Sequence, residues 1–198
     1  MTVCQIKRNN AEERIRAILS GKVAKLNIED ETNEDDSPEN FNLESVAHTR
    51  LVQFINQKFK GHGLEALVEE ILKAEGYVTN KTGKGADGGA DILAGSGPMG
   101  FESPRILVEV KSGDSLYGSE AIDRMRGSLE RFGADYGLFI AFNGFKSGIK
   151  RNYRQDFFKI RLWDQNDLIS AIYKNYDRFS EELKAEIPLQ RVWTLVEN

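Results

Sequence analysis

The sequence has little of what defines several protein classes. One cysteine, Cys4, and four prolines among 198 residues exclude an internal disulfide framework and a collagen-like chain. No apolar run approaches the roughly 20 residues that cross a bilayer, and no secretory hydrophobic region is visible, so we expect a cytoplasmic protein without a membrane partner. The patterns of a phosphate-binding loop, a Gly-x-Ser-x-Gly elbow and a zinc site around His48 or His62 are missing, which argues against those three chemistries.

Acidic charge is concentrated in one short segment. Residues 29–39 hold seven acids and no base. The chain has 31 acids and 27 Lys plus Arg, so 24 acids face 27 bases outside the segment, and the formal charge there is +3 instead of −4. We interpret 27–41 as a disordered acidic linker between an N-terminal helical segment, 1–26, and a domain, 42–198, that ends in a helix and an irregular tail. The linker is either a spacer or an arm that acts on a basic surface.

The order of periodic segments predicts an α/β fold. Helical patterns cover 43–59, 64–75, 119–132, 146–158 and 164–176, and strand patterns start at 77 and cover 91–94, 105–111, 136–142 and 159–163. In the helix 119–132, we expect Ile122, Met125, Leu129 and Phe132 to face inward. Residues 136–142 are almost continuously apolar, as in a strand buried on both faces. The result is a mixed central sheet flanked by helices on both faces.

Three charged residues lie in apolar surroundings. Glu109 and Lys111 are two apart on a strand, so their side chains share one face, while Val108 and Val110 share the other. Charged groups are rare in buried strands unless they are paired or coordinate something, because desolvation is costly. Asp91 opens the preceding strand, and an antiparallel hairpin would place it beside Glu109.

These residues have the chemistry of a divalent-metal site. The carboxylates of Asp91 and Glu109, with the backbone carbonyl of Val110, offer the hard oxygens that Mg²⁺ or Mn²⁺ prefers, with water and a phosphate oxygen as further ligands. Such a metal lowers the pKa of bound water and stabilises charge on phosphorus. Lys111 can orient that water or neutralise the phosphate. The alternative is a structural cross-strand pair of Glu109 and Lys111 beside a turn aspartate.

Several segments together resemble a known family. They are Leu64-Glu65-Ala66-Leu67-Val68, Gly76-Tyr77, Asp87-Gly88-Gly89-Ala90-Asp91, Val108-Glu109-Val110-Lys111 and Arg131-Phe132-Gly133-Ala134-Asp135-Tyr136-Gly137-Leu138. Over about residues 61–165 the chain resembles the catalytic domain of Mrr-like restriction endonucleases, within the PD-(D/E)XK nuclease superfamily. The resemblance implies a restriction-endonuclease-like fold, with Asp91 and Glu109 as metal ligands and Lys111 as the catalytic lysine. Many Mrr-like enzymes have Gln at the Glu109 position, and Ala90 stands where the superfamily name has Pro.

Two further acids are candidates for the same site. Family members often supply an acid from the first helix, and the resemblance therefore adds Glu65 as an auxiliary catalytic residue. On the helical wheel Glu65 lies beside Leu72 at the edge of the apolar stripe, whereas Glu69 and Glu70 point further into solvent. The alternative for Glu65 is an ordinary solvated acid. Asp87 is either a turn residue that caps backbone N–H groups or a further acid near the metal.

Basic residues are densest between 146 and 161. Lys146, Lys150 and Arg154 are spaced i, i+4 and i+8, so one helix would align them into a stripe that follows a phosphate backbone, with Arg151 beside it. We expect these four residues to bind double-stranded DNA without reading its sequence. The alternative is a solvated helix face.

The sequence therefore predicts a metal-dependent DNA endonuclease in restriction of foreign or modified DNA, with Mg²⁺ as cofactor and Mn²⁺ as a substitute. Alternatives are a repair or junction nuclease with the same site, and a non-catalytic DNA-binding or complex-assembly module. The resemblance also implies a homodimer and a separate DNA-recognition domain or subunit, because residues 1–60 look too short and too polar to read DNA.

Overall fold

The computed structural model describes residues 43–82 and 89–192, except for the side chain of residue 155. The helices are α1 (Leu43–Lys58), α2 (His62–Ala74), α3 (Ser119–Phe132), α4 (Ile149–Asn152), α5 (Gln165–Asn175) and α6 (Glu181–Glu186). The strands are β1 (Val78–Lys81), β2 (Ile92–Ser96), β3 (Glu102–Lys111), β4 (Tyr136–Ala141) and β5 (Ile160–Trp163). The expectations for 1–26, 27–41 and Asp87 lie outside the described residues, and the domain boundaries stay predictions. Among the helices described, none is both long and apolar enough to span a membrane.

The five strands form one mixed sheet in chain order. β1, β2 and β3 pair antiparallel, whereas β3, β4 and β5 pair parallel. The register sets Ile92 opposite Val108 and Lys111 opposite Ala141. The first residues of β2 and the last residues of β3 and β4 therefore meet at one end of the sheet.

Helices cover both faces of the sheet, as predicted. Alternation along β3 sends Val108 and Val110 into the core beneath α1, α2 and α5, and sends Leu107 into the core beneath α3. α3 packs closely on β4 at Gly137, where an added Cβ would lie 2.8 Å from the sulfur of Met125. The predicted mixed α/β sheet with helices on both faces is thereby confirmed.

Two local expectations were wrong. Phe132 does not face inward: it is the last residue of α3, at the edge of the apolar stripe, where it is 37% exposed and lies against the Arg131 guanidinium. As far as residue 192, the tail is not irregular, because a 3₁₀ turn at Tyr176–Arg178 and helix α6 follow α5. Ser180 caps α6 by accepting a hydrogen bond from the Leu183 backbone at 3.3 Å, and Leu183 is buried in the core.

The expected helix over 146–158 is also broken. α4 has only four residues and is preceded by Gly148, which has the left-handed conformation at φ 80°. A 3₁₀ turn at Tyr153–Asp156 follows directly. Lys146, Lys150 and Arg154 therefore do not form a stripe along one helix.

Candidate active site

Asp91 is fixed at the start of β2 by backbone contacts on two sides. Its amide donates to the Val108 carbonyl at 2.8 Å, and its own carbonyl accepts from the Thr82 amide at 3.0 Å. The carboxylate then reaches along β3, where its Oδ2 accepts from the Val110 amide at 2.6 Å. The predicted hairpin therefore places the Asp91 carboxylate beside the end of β3.

Glu109 and Lys111 share one face of β3, as the alternation predicts. The Glu109 side chain is only 9% exposed, and its Oε1 lies 3.0 Å from Lys111 Nζ. The same ammonium lies 3.8 Å from Asp91 Oδ2. One lysine therefore lies close to both predicted metal ligands.

Burial and charge pairing act in opposite directions on both of these groups. Desolvation raises the pKa of the Glu109 carboxyl above its ordinary value, and the charge of Lys111 only partly offsets this. For Lys111, desolvation acts to lower the pKa, but the charges of Glu109 and Asp91 outweigh it, so the pKa of the ammonium is raised. Lys111 is therefore a cation at neutral pH.

The donor set fits a hard divalent cation. Two carboxylates beside one ammonium leave a formal charge of −1 in a partly desolvated place, which a cation compensates. Val110 lies beyond the paired register of β2 and β3, and its N–H points to Asp91. Because N–H and C=O of one strand residue point the same way, its carbonyl also points to this side of the strand. Asp91, Glu109 and the Val110 carbonyl can thus supply oxygen ligands.

Glu65 is not joined to this pair in the described structure. Within 43–82 and 89–192, no group of three or more His, Cys, Asp or Glu side chains is arranged to hold a metal. Glu65 Oε2 instead lies 2.8 Å from His62 Nδ1. The start of α2 is nevertheless close to the site, because the Gly61 amide donates to Ser112 Oγ, directly after Lys111, at 2.9 Å. Glu69 is not solvated as expected, since it accepts a hydrogen bond from Thr79.

α3 brings two side chains towards Glu109 that the sequence interpretation missed. A Cβ added to Gly89 would lie 3.4 Å from Ser128 Oγ and 4.0 Å from Glu109 Oε2, so these groups surround one small space. The charge of Arg124, one helical turn before Ser128, acts on the Glu109 carboxyl and offsets a small part of the rise in its pKa that burial causes. A polar residue on the buried face of a helix was the available signal for Ser128.

Lys150 is held by two carboxylates. Its Nζ lies 2.5 Å from Asp164 Oδ2 and 2.6 Å from Asp167 Oδ2. The two aspartates form the capping box at the start of α5. The charge of Lys150 is thus matched within the chain.

The other predicted DNA-binding residues are more open. Lys146 and Arg151 line a groove of about 430 Å³ with Lys150, Phe145 and Asp164. Arg154 is exposed, and neither Arg151, Arg154 nor Lys146 forms an ion pair with another described residue. The segment follows the end of β4, where the Phe142 amide donates to the Lys111 carbonyl at 2.9 Å. The basic groove and the acidic pair therefore lie at the same end of the sheet.

The fold and a family match together define the class, which is that of restriction endonuclease domains. Residues 56–172 match the family Mrr_cat, described as "Restriction endonuclease". The match covers 117 of 198 residues, and the chain belongs to this family. The resemblance read from the sequence motifs is confirmed. No curated protein matches the chain by sequence.

A solved structure shares the fold. The "DNA modification-dependent restriction endonuclease AspBHI" aligns with a TM-score of 0.53 and 16% identity, over 71% of this chain and 38% of that protein. The "MspJI Restriction Endonuclease in Complex with 27-mer Oligonucleotide" aligns with a TM-score of 0.47 and 17% identity, over 85% of this chain and 40% of that protein. The chain thus spans well under half of either neighbour.

Proposed function

We propose that this chain is a metal-dependent endonuclease that hydrolyses phosphodiester bonds of double-stranded DNA, in restriction of foreign or modified DNA. The observation that carries the proposal is the placement of Asp91, Glu109 and Lys111. The Lys111 ammonium lies 3.0 Å from the Glu109 carboxylate and 3.8 Å from the Asp91 carboxylate. These groups come from adjacent strands, at the end of a sheet that has the family's fold.

The roles follow from the contacts of each group. Asp91 and Glu109 would hold Mg²⁺, or Mn²⁺ in its place, together with the Val110 carbonyl. The bound cation would activate water and stabilise charge on phosphorus. The Val110 amide fixes the Asp91 carboxylate by its 2.6 Å hydrogen bond. Lys111, as an ammonium, would orient the attacking water or neutralise the phosphate.

DNA binding would use open cations of the basic segment that follows β4. Lys146, Arg151 and Arg154 are available to phosphates, whereas the two aspartates favour an intramolecular role for Lys150. Cleavage of both strands would require two sites, which a homodimer provides. A separate domain or subunit would read the DNA.

Cleavage of supercoiled plasmid tests this proposal. The wild-type chain should nick or linearise plasmid with Mg²⁺, and not with EDTA. Lys111→Ala and Asp91→Ala should lose the activity. Lys73→Ala is the matched control, because Lys73 also pairs with two carboxylates, Glu69 and Glu70, but on the surface of α2. Metal-dependent cleavage that survives in both site variants would defeat the assignment.

Calorimetric titration separates an enzyme from a binding module. Wild-type protein should bind Mg²⁺ or Mn²⁺, and Asp91→Ala should bind either ion weakly. Absence of metal binding, with undiminished DNA affinity in EDTA, would favour the non-catalytic module. Parallel assays on methylated, unmethylated, nicked and branched DNA would separate restriction from repair.

A further inference from the structure

A second groove lies at the opposite end of the sheet. It has a volume of about 490 Å³ and is bordered by the first residues of β4, by the segment before β5 and by the end of α2. Three aromatic side chains on it face solvent: Phe158 is 80% exposed, Phe157 53% and Tyr136 43%. Exposed aromatic rings gathered in one place mark a contact surface, because apolar area in water is costly.

Cations accompany these rings. The Arg161 guanidinium lies 3.3 Å from the centroid of the Phe157 ring, and Lys159 Nζ lies 5.8 Å from the centroid of Tyr136. The rings of Phe157 and Phe158 pack edge to face, with 5.3 Å between their centroids. The groove therefore combines aromatic faces with positive charge, a combination that suits a stacked, negatively charged ligand.

One carboxylate lies on the wall of the groove. Glu75 Oε1 accepts hydrogen bonds from Lys174 at 2.8 Å and from the buried Asn175 at 2.9 Å. Both hydrogen bonds that the described structure gives Glu75 end on Oε1, which leaves Oε2 as an acceptor. The hydrogen bond from Lys174 lowers the pKa of Glu75, so the group stays ionised. A fixed acceptor beside aromatic faces suits the amino groups on the edge of a base.

We propose that this groove binds unpaired nucleobases of single-stranded DNA. Phe158 and Phe157 would stack on the bases, and Arg161 and Lys159 would neutralise the backbone. In duplex DNA both faces of each base are occupied by neighbouring bases, so the groove is selective for unpaired nucleotides. With two cations and one anion, the groove has a formal charge of +1, complementary to phosphate.

The groove is independent of the candidate active site. Ile106 of β3 lines it, and Lys111 lies five residues further along the strand, about 16 Å away at 3.3 Å per residue. The proposal therefore goes beyond duplex cleavage and does not require it. Binding can be measured in EDTA, where failure of the active-site assignment has no influence.

Fluorescence anisotropy with the full chain tests the groove. The probes are a labelled oligodeoxycytidylate of about 20 nucleotides, whose bases carry an amino group, and a duplex of equal length, both in EDTA. Stacking on one aromatic side chain contributes a factor of roughly 5 to 150 in affinity, so Phe158→Ala should weaken single-strand binding about tenfold. Arg161→Gln should also weaken it. The matched control is Phe101→Ala, because Phe101 is 77% exposed but does not line the groove.

The outcomes are distinct. Weaker single-strand binding in the two groove variants, with unchanged duplex binding and an unchanged control, would support the proposal. Single-strand affinity within twofold of wild type in Phe158→Ala would overturn it. A groove variant that changes the monomer–dimer equilibrium in sedimentation velocity, but not single-strand affinity, would show a contact between two copies instead and would also overturn it.

Discussion

Replacing Lys150 with alanine distinguishes a structural lysine from a DNA-binding one. The lysine lies between Asp164 and Asp167, which cap α5 through the Asn166 and Asp167 amides and the Asp164 amide. Lys150→Ala leaves two carboxylates side by side without a cation. We therefore expect a loss of stability and little change in affinity for DNA.

The size of the effect follows from exposure. The side chain of Lys150 is 42% exposed, and those of Asp164 and Asp167 are 25% and 39% exposed, so solvent screens both pairs. Exposed ion pairs contribute about 0.2–1 kcal/mol each. With the repulsion that remains between the carboxylates, we expect the free energy of unfolding to fall by about 1–2 kcal/mol at pH 7.

The pH dependence has a definite sign. Burial acts to raise the pKa of Asp164, but its hydrogen bond and charge interaction with Lys150 outweigh it, and the pKa lies below the ordinary value of 3.8. An acid with a lowered pKa stabilises the fold above its unfolded pKa, and this stability is lost as the pH falls through the folded pKa. The difference between wild type and Lys150→Ala should therefore narrow below about pH 4.

Urea denaturation at pH 7 and pH 3 measures this difference, and anisotropy with duplex DNA measures binding. Arg151→Ala is the control, because Arg151 follows Lys150 in the chain but forms no ion pair with another described residue. The Arg151→Ala protein should keep the wild-type stability and lose affinity for DNA. A Lys150→Ala protein with wild-type stability and strongly reduced DNA affinity would refute the reasoning.

Two further predictions concern packing and the metal ligands. Gly137→Ala should lower the free energy of unfolding by about 1–3 kcal/mol in urea denaturation, because the new Cβ would lie 2.8 Å from the sulfur of the buried Met125. Gly113→Ala should leave the free energy of unfolding unchanged, because no atom lies within 4 Å of the added Cβ. Equal losses of stability in Gly137→Ala and Gly113→Ala would contradict the packing argument. Glu109→Gln should weaken Mg²⁺ binding about tenfold in calorimetry because it removes ligand charge but keeps an oxygen. The Glu109→Gln protein should cleave plasmid more slowly than wild type but faster than Asp91→Ala. Equal loss of cleavage in the two variants would show that a neutral oxygen ligand at position 109 does not support activity.

The placement of the candidate site was predictable because it depends on local rules. Alternation along a strand sets Glu109 and Lys111 on one face, and a hairpin sets Asp91 opposite Glu109. Apolar periodicity likewise gave α3 its observed bounds, Ser119–Phe132. These inferences need only the neighbours of each residue along the chain or across one hairpin.

Contacts between distant segments were not predictable in this way. Lys150 pairs with Asp164 and Asp167, which lie 14 and 17 residues further along the chain. The spacing of residues within the basic segment does not predict these two ion pairs. The second groove joins Glu75, Tyr136 and Phe157, which come from three separate segments. α6 was missed because its cap, Ser180, follows a break after α5 and its apolar contacts are few.

The length of β3 has a thermodynamic consequence. Its two ends carry the two proposed surfaces, and perturbations separated by more than about 7–10 Å combine additively when they share no partner. The changes in the free energy of unfolding caused by Lys111→Ala and by Phe158→Ala should therefore add in the double variant. Natural selection could then retune the affinity of one end without compensating substitutions at the other.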